Sequence, residues 1–258
     1  MKYKRLLVFV TSMIFVSALI ICFFAMFKTA EIIVNVKTVN GSNEQVTEKV
    51  EESLSDAYGK NLLFISTEDI KNQVNSLSSY AKVIEVVKHY PNKLEIVVEE
   101  RLEKFSVEYN GEYYAIDGEL HVLSKKNVNE NNVDNNPNVL LKFDVADIDA
   151  NTLQIGSTLK IYDEKTLNYL LTNADKLYLN RGDISSIEIT VKKEKVYFRR
   201  LTLKMREAIV INIDKADIKT TEKIEKALEF YSLSPNKGEA LEYFVNILAE
   251  TGEIVVTL

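Results

Sequence analysis

The chain opens with an uncharged, almost wholly apolar run from Leu6 to Phe27. As a helix rising about 1.5 Å per residue it would span about 33 Å, enough to cross a hydrocarbon core. Thr11, Ser12, Ser17 and Cys22 are its only polar interruptions. Such hydroxyls can bond back to carbonyls of their own helix, so they leave the span intact. The run exceeds the apolar region of a cleaved signal peptide, and Phe24, Met26 and Phe27 suit a cleavage site poorly. The pattern predicts a retained anchor over 6–27 behind a cytoplasmic tail of 1–5.

After the span the pattern alternates between periods of two and 3.6. Glu31 to Val39 alternates with β-branched residues and predicts a strand. Asn40-Gly41-Ser42-Asn43 reads as a turn, and Val46, Val50, Leu54 and Ala57 then recur at helical spacing up to Gly59. Ser66 with Asp69 three residues on is a capping signal for a second helix carrying Ile70, Val74 and Leu77. Ala81 to His89 is a strand, Tyr90-Pro91-Asn92-Lys93 a turn, and Leu94, Ile96 and Val98 mark the core face of a third strand. The predicted order over 28–100 is β-α-α-β-β, with two helices covering one face of a three-stranded sheet.

These residues resemble a known family. Val39-Asn40-Gly41-Ser42-Asn43, Gly59-Lys60-Asn61-Leu62-Leu63, Tyr90-Pro91 and Leu94-x-Ile96-x-Val98-x-Glu100-Arg101 follow the pattern of a POTRA domain. Combined with one N-terminal span, they look like the bacterial FtsQ/DivIB cell-division family. Tyr114 to Leu123 resembles the segment that opens that family's second, β-rich domain.

From Glu103 onward the period is mainly two. Asn110-Gly111 between Phe105–Tyr109 and Tyr113–Ile116 is a hairpin signal. Residues 125–138 read as a loop, and Leu167, Leu170, Leu171 and Ala174 as a helix stripe. Three strands follow as a meander around Ile187–Val191, Leu201–Met205 and Ile209–Ile213, with Lys192-Lys193-Glu194-Lys195 and Arg206-Glu207 in its turns. A last helix carries Ile224, Ala227, Leu228 and Tyr231, with Thr220 or Thr221 as its cap. Strands 241–248 and 253–257 close the chain. The fold class is α+β: an N-terminal transmembrane helix, a POTRA unit, and a mostly antiparallel β-rich domain over 101–258 with flanking helices.

Charge sets the topology. Lys2, Lys4 and Arg5 precede the span without any acid, whereas the whole chain carries −6. The positive-inside bias predicts a single-pass type II protein of the cell membrane, N-terminus cytoplasmic and C-terminus outside. An acidic exterior argues against a nucleic-acid partner. The lone Cys lies in the span, so the exterior part is expected to fold without disulfides. His89 and His121 fall in different predicted domains. Asp147, Asp149 and Asn151 have calcium-loop spacing but lack the turn Gly and the final Glu. Glu99 and Glu100 point to opposite faces of a strand. No catalytic residue, metal site or cofactor is expected.

Two stretches remain as candidates for binding. Lys192, Lys193, Lys195, Arg199 and Arg200 form the basic concentration, a candidate contact for anionic wall polymer or lipid head groups. Tyr243, Phe244, Val245 and Ile247 lie in a strand with apolar residues on both faces. Such a strand is either central or a partner-binding edge with an exposed aromatic at Tyr243 or Phe244. The resemblance implies a non-catalytic divisome scaffold at the septum. It implies partners of the DivIC/FtsB and FtsL type, met mainly by the last strands, and a septal wall synthase complex beyond them. Two other readings stand beside it: a POTRA protein of polypeptide transport or secretion, which would show tandem units or a barrel, and a membrane-anchored wall-modifying enzyme, which would need an exterior acid, base or nucleophile cluster.

Overall fold

The computed structural model describes residues 2–38, 44–127, 138–142, 147–193 and 197–258. The chain divides into two compact units, Met1–Arg101 and Leu102–Leu258.

The first unit begins with α1 (Lys2–Met26). Its stretch Leu7–Met26 is long and apolar enough to cross a membrane, and the rest of the chain buries none of it. The hydroxyls inside it are satisfied as the sequence predicts. Thr11 donates to the Leu7 and Val8 carbonyls, Ser12 to Phe9 and Ser17 to Met13.

The β-α-α-β-β order follows as β1 (Glu31–Lys37), α2 (Glu44–Ser53), α3 (Thr67–Leu77), β2 (Ala81–His89) and β3 (Lys93–Glu100). β3 is central, parallel to β1 along its whole length and antiparallel to β2, which bulges between Val83 and Glu85. Leu94, Ile96 and Val98 line one face of β3 and pack against Val46, Val50, Leu54, Ile70 and Val74, all buried. Alternation on the strand and helical spacing on the helices therefore meet in one core. Ser66 accepts from the Asp69 N–H at 3.2 Å and starts α3 as its spacing predicts. Two details differ. The first helix stops at Ser53 and tightens into a single 3-10 turn at Ser55–Ala57 before Gly59, whose φ of +74° turns the chain away. Leu77, placed on the apolar stripe of α3, is 60% exposed because the helix has run past the sheet's cover by its last residue. The Asn40–Asn43 turn lies outside the described residues.

The second unit contains β4 (Phe105–Tyr109), β5 (Glu112–Ile116), β6 (Val122–Asn127), β7 (Val139–Lys142), α4 (Glu164–Leu179), β8 (Ile184–Lys193), β9 (Tyr197–Met205), β10 (Val210–Ile213), α5 (Thr220–Leu233), β11 (Glu242–Ile247) and β12 (Ile254–Thr257). Its strands form one sheet in the order β12-β11-β10-β9-β8-β7-β4-β5-β6. The hairpin at Asn110-Gly111 forms, with φ of 51° and 77° at the two residues. The β8-β9-β10 meander forms as well. Elsewhere the sheet is mixed rather than simply antiparallel, since β4–β7, β7–β8 and β10–β11 are parallel. Parallel neighbours require crossovers. Here α4 joins β7 to β8 and α5 joins β10 to β11. Leu170, Ala174 and Leu177 of α4 and Ile224, Ala227 and Tyr231 of α5 share one core with Leu201, Leu203, Ile211 and Val245. Both helices thus cover the same sheet face. Residues 125–127, read as the start of a loop, extend β6, and 128–137 lie outside the described residues. Lys192 and Lys193 belong to β8 rather than to a turn.

Candidate functional site

The C-terminal end of the large sheet is built by α5 and the strands beneath it. α5 begins without a side-chain cap: Lys219 takes a φ of 49°, and the Thr220 hydroxyl donates back to the Ala216 carbonyl instead of capping. Lys223 does the anchoring. The residue is 1% exposed, and its ammonium donates to the carbonyls of Asp214 at 2.7 Å and Lys215 at 3.0 Å. Burial pushes its pKa down. Further along, the Tyr231 hydroxyl donates to Glu207 at 3.2 Å, and burial followed by the Glu207 carboxylate pushes its pKa up to about 12. With α5 held at both points, Phe230 meets Tyr243 edge-on at 4.6 Å.

That contact corrects the expectation for Tyr243. β11 is flanked by β10 and β12, so it is not an edge strand. Tyr243 and Val245 face α5 and are buried. Phe244 points to the face away from the helices, half-buried under the Arg200 guanidinium at 5.2 Å. Ile247 is half-buried. The outer position belongs to β12, which pairs with β11 alone among the described residues. Ile254 and Val256 pack toward the core, while Val255 stands beside Asn246 on the helix-free side. The sequence marks 253–257 as a closing strand after the Thr251-Gly252 turn, and its alternation does not mark it as the edge.

The basic stretch resolves differently. Arg199 and Arg200 are neighbours on β9 and point to opposite faces. Arg199 forks onto Asp163, with Nε and Nη2 at 2.7 and 2.6 Å from its two oxygens. Asp163 also caps α4 by accepting from the N–H and hydroxyl of Thr166. Burial pushes its carboxyl up, but the hydrogen bonds from Arg199 and Thr166 outweigh that and hold it below the usual carboxylate range. Arg200 forks onto Asp214 at 2.5 and 3.0 Å. Both arginines are therefore committed to internal acids, which weakens them as contacts for an external anion. The side chains of Lys192 and Lys193, and Lys195 altogether, lie outside the described residues. Asp163 lies 36 residues before Arg199, and its helix-start position is the available clue, whereas Asp214 follows β10 directly, 14 residues after Arg200.

The other candidates take structural roles. Asp149 caps the short turn Ala150–Thr152 by accepting from Asn151. His89 sits 2.7 Å from Glu95 across the β2–β3 pair. His121 belongs to the second unit, near Thr158.

With the geometry in place, the comparison with known proteins is specific for the first unit. Residues 35–101 match the profile of the POTRA domain, FtsQ-type. The chain carries an FtsQ-type POTRA domain. The matched POTRA span opens within β1 and closes one residue after β3, taking in both helices and the whole three-stranded core. The chain is also 23% identical over 170 residues to "Cell division protein DivIB" of Clostridium botulinum, across 65% of this chain and 63% of that protein. It is a distant homologue of DivIB, matched over less than two thirds of the relative's length. An alignment of that extent reaches beyond the POTRA domain into the β-rich unit.

Proposed function

We propose that this protein is a membrane-anchored, non-catalytic scaffold of the cell-division machinery. It stands in the cytoplasmic membrane with its N-terminus inside and both folded units outside, at the division septum. It holds partners of the DivIC/FtsB and FtsL type, through which a septal wall synthase complex is reached. The observation that carries this reading is the free edge at β12. A sheet edge offers unpaired N–H and C=O groups that a strand from a partner can complete, with no chemistry required. The expected contact moves from Tyr243 to Val255 and Thr257, with Phe244 next to them on the helix-free face. The FtsQ-type POTRA domain, the DivIB homology and the apolar N-terminal helix support the cellular setting.

Placing a charge on an edge strand discourages pairing. Val255→Lys should weaken capture of DivIC-type and FtsL-type partners while leaving the melting temperature nearly unchanged. Normal capture by a folded Val255→Lys protein would remove β12 as the contact. Depletion of the protein should make cells filament; normal septation without any second copy of the gene would remove the divisome role.

A further inference from the structure

The loop that follows the 3-10 turn is bound to the last turn of α1. The Asn61 side-chain amide donates to the Phe24 carbonyl at 2.9 Å, and the Leu62 N–H donates to the Phe27 carbonyl at 2.7 Å. Thr29 and Gly59 lock the two segments from outside, Thr29 N–H to the Lys60 carbonyl and Gly59 N–H to the Thr29 carbonyl. The final carbonyls of any helix lack intrahelical donors, and in a membrane no water replaces them. Here part of the POTRA domain supplies the donors.

This attachment fixes depth. The Phe64 ring lies nearly parallel to that of Phe24, centroids 5.9 Å apart. Phe24 sits three residues before Phe27, about 4.5 Å further back along the helix. Phe64 is nevertheless 75% exposed in the protein. Across the helix exit, Tyr90 of the β2–β3 turn meets Phe27 edge-on at 5.9 Å. Single exposed aromatics need no explanation, but these continue the apolar surface of the span itself, where rings at the head-group level are favoured.

From this geometry we propose that the Asn61–Phe64 loop is a membrane wedge. Phe64 enters the boundary between acyl chains and head groups of the leaflet where α1 ends, and Tyr90 rests at the same interface. The POTRA domain is thereby seated on the bilayer rather than tethered above it. The inference rests on the reading of α1 as a membrane anchor.

The chain contains no Trp, so one substitution gives one fluorophore. The full chain carrying Phe64→Trp would be reconstituted in phosphatidylethanolamine/phosphatidylglycerol vesicles with quenchers at shallow or deep acyl positions. Phe15→Trp, at mid-span, reports on the anchor separately. The expected result is deep quenching for Phe15→Trp, and for Phe64→Trp an emission blue-shifted from that of N-acetyltryptophanamide with stronger quenching by shallow than by deep labels. Tyr90→Trp, at the ring that meets Phe27, should also be quenched more by shallow than by deep labels. Water-like, unquenched emission from Phe64→Trp alongside a deeply quenched Phe15→Trp would overturn the wedge and leave the anchor standing. Loss of quenching at both positions would overturn the anchor and the wedge with it.

Discussion

Leu54 and Leu77 hold similar places in the sequence, each an apolar residue at helical spacing close to the end of a POTRA helix. Leu54 is fully buried against β3, whereas Leu77 is 60% exposed. Removing a buried leucine side chain costs both transfer free energy and a cavity, about 2–5 kcal/mol. Leu54→Ala should therefore lower the stability of the solubilised chain by that amount in urea unfolding, and Leu77→Ala by no more than about 0.5 kcal/mol. Equal effects would mean that α2 and α3 are seated differently. Spacing identifies the stripe but not where the neighbouring element runs out, which is why Leu77 was misread. The same limit applies to Tyr243: an aromatic in a strand with two apolar faces reads alike at an edge and one position inside it. Only the presence of β12 and α5 decides, and Phe230 supplies the contact that buries the ring.

At the level of elements, α4 is fastened to the sheet by one carboxylate doing two jobs. Asp163 caps the helix and takes the Arg199 fork from β9. Asp163→Asn keeps a good capping side chain but removes the charge. Its pair is partly exposed, so the expected loss at neutral pH is about 1–2 kcal/mol after solvent screening. The Asp163 carboxyl is held below its unfolded value, so its contribution is complete above about pH 4 and disappears as pH falls through the folded pKa. Melting temperatures of the parent and Asp163→Asn should differ at pH 7 and converge in acid; a constant gap would show that the charge is not what matters. Helices, hairpin and meander were legible because each writes its own period into adjacent residues. The parallel pairings were not, since alternation tells which face a residue occupies and not which strand lies beside it. The basic stretch reads as a candidate anion contact for a related reason: Asp163 reaches Arg199 only through tertiary folding, and Asp214 reaches Arg200 from just past the neighbouring strand β10.

For the whole molecule, the consequential feature is the pairing of β1 with β3. β1 follows directly from the anchor helix, and β3 leads directly into the second unit. The two strands run parallel with their starts level, Glu31 beside Lys93, and their ends level, Lys37 beside Glu99. Tension between the membrane and the C-terminal unit therefore pulls β1 by its start and β3 by its finish. Those pulls are opposed along the strands, so the ladder is loaded in shear. The evenly spaced bonds of a parallel pair share the load instead of opening one after another. In single-molecule pulling between the two termini, the POTRA unit should resist more than when it is pulled across Lys37 and Glu99, which sit side by side and peel the same ladder from one end. A chain wired this way is a mechanical link whose grip is set by strand direction.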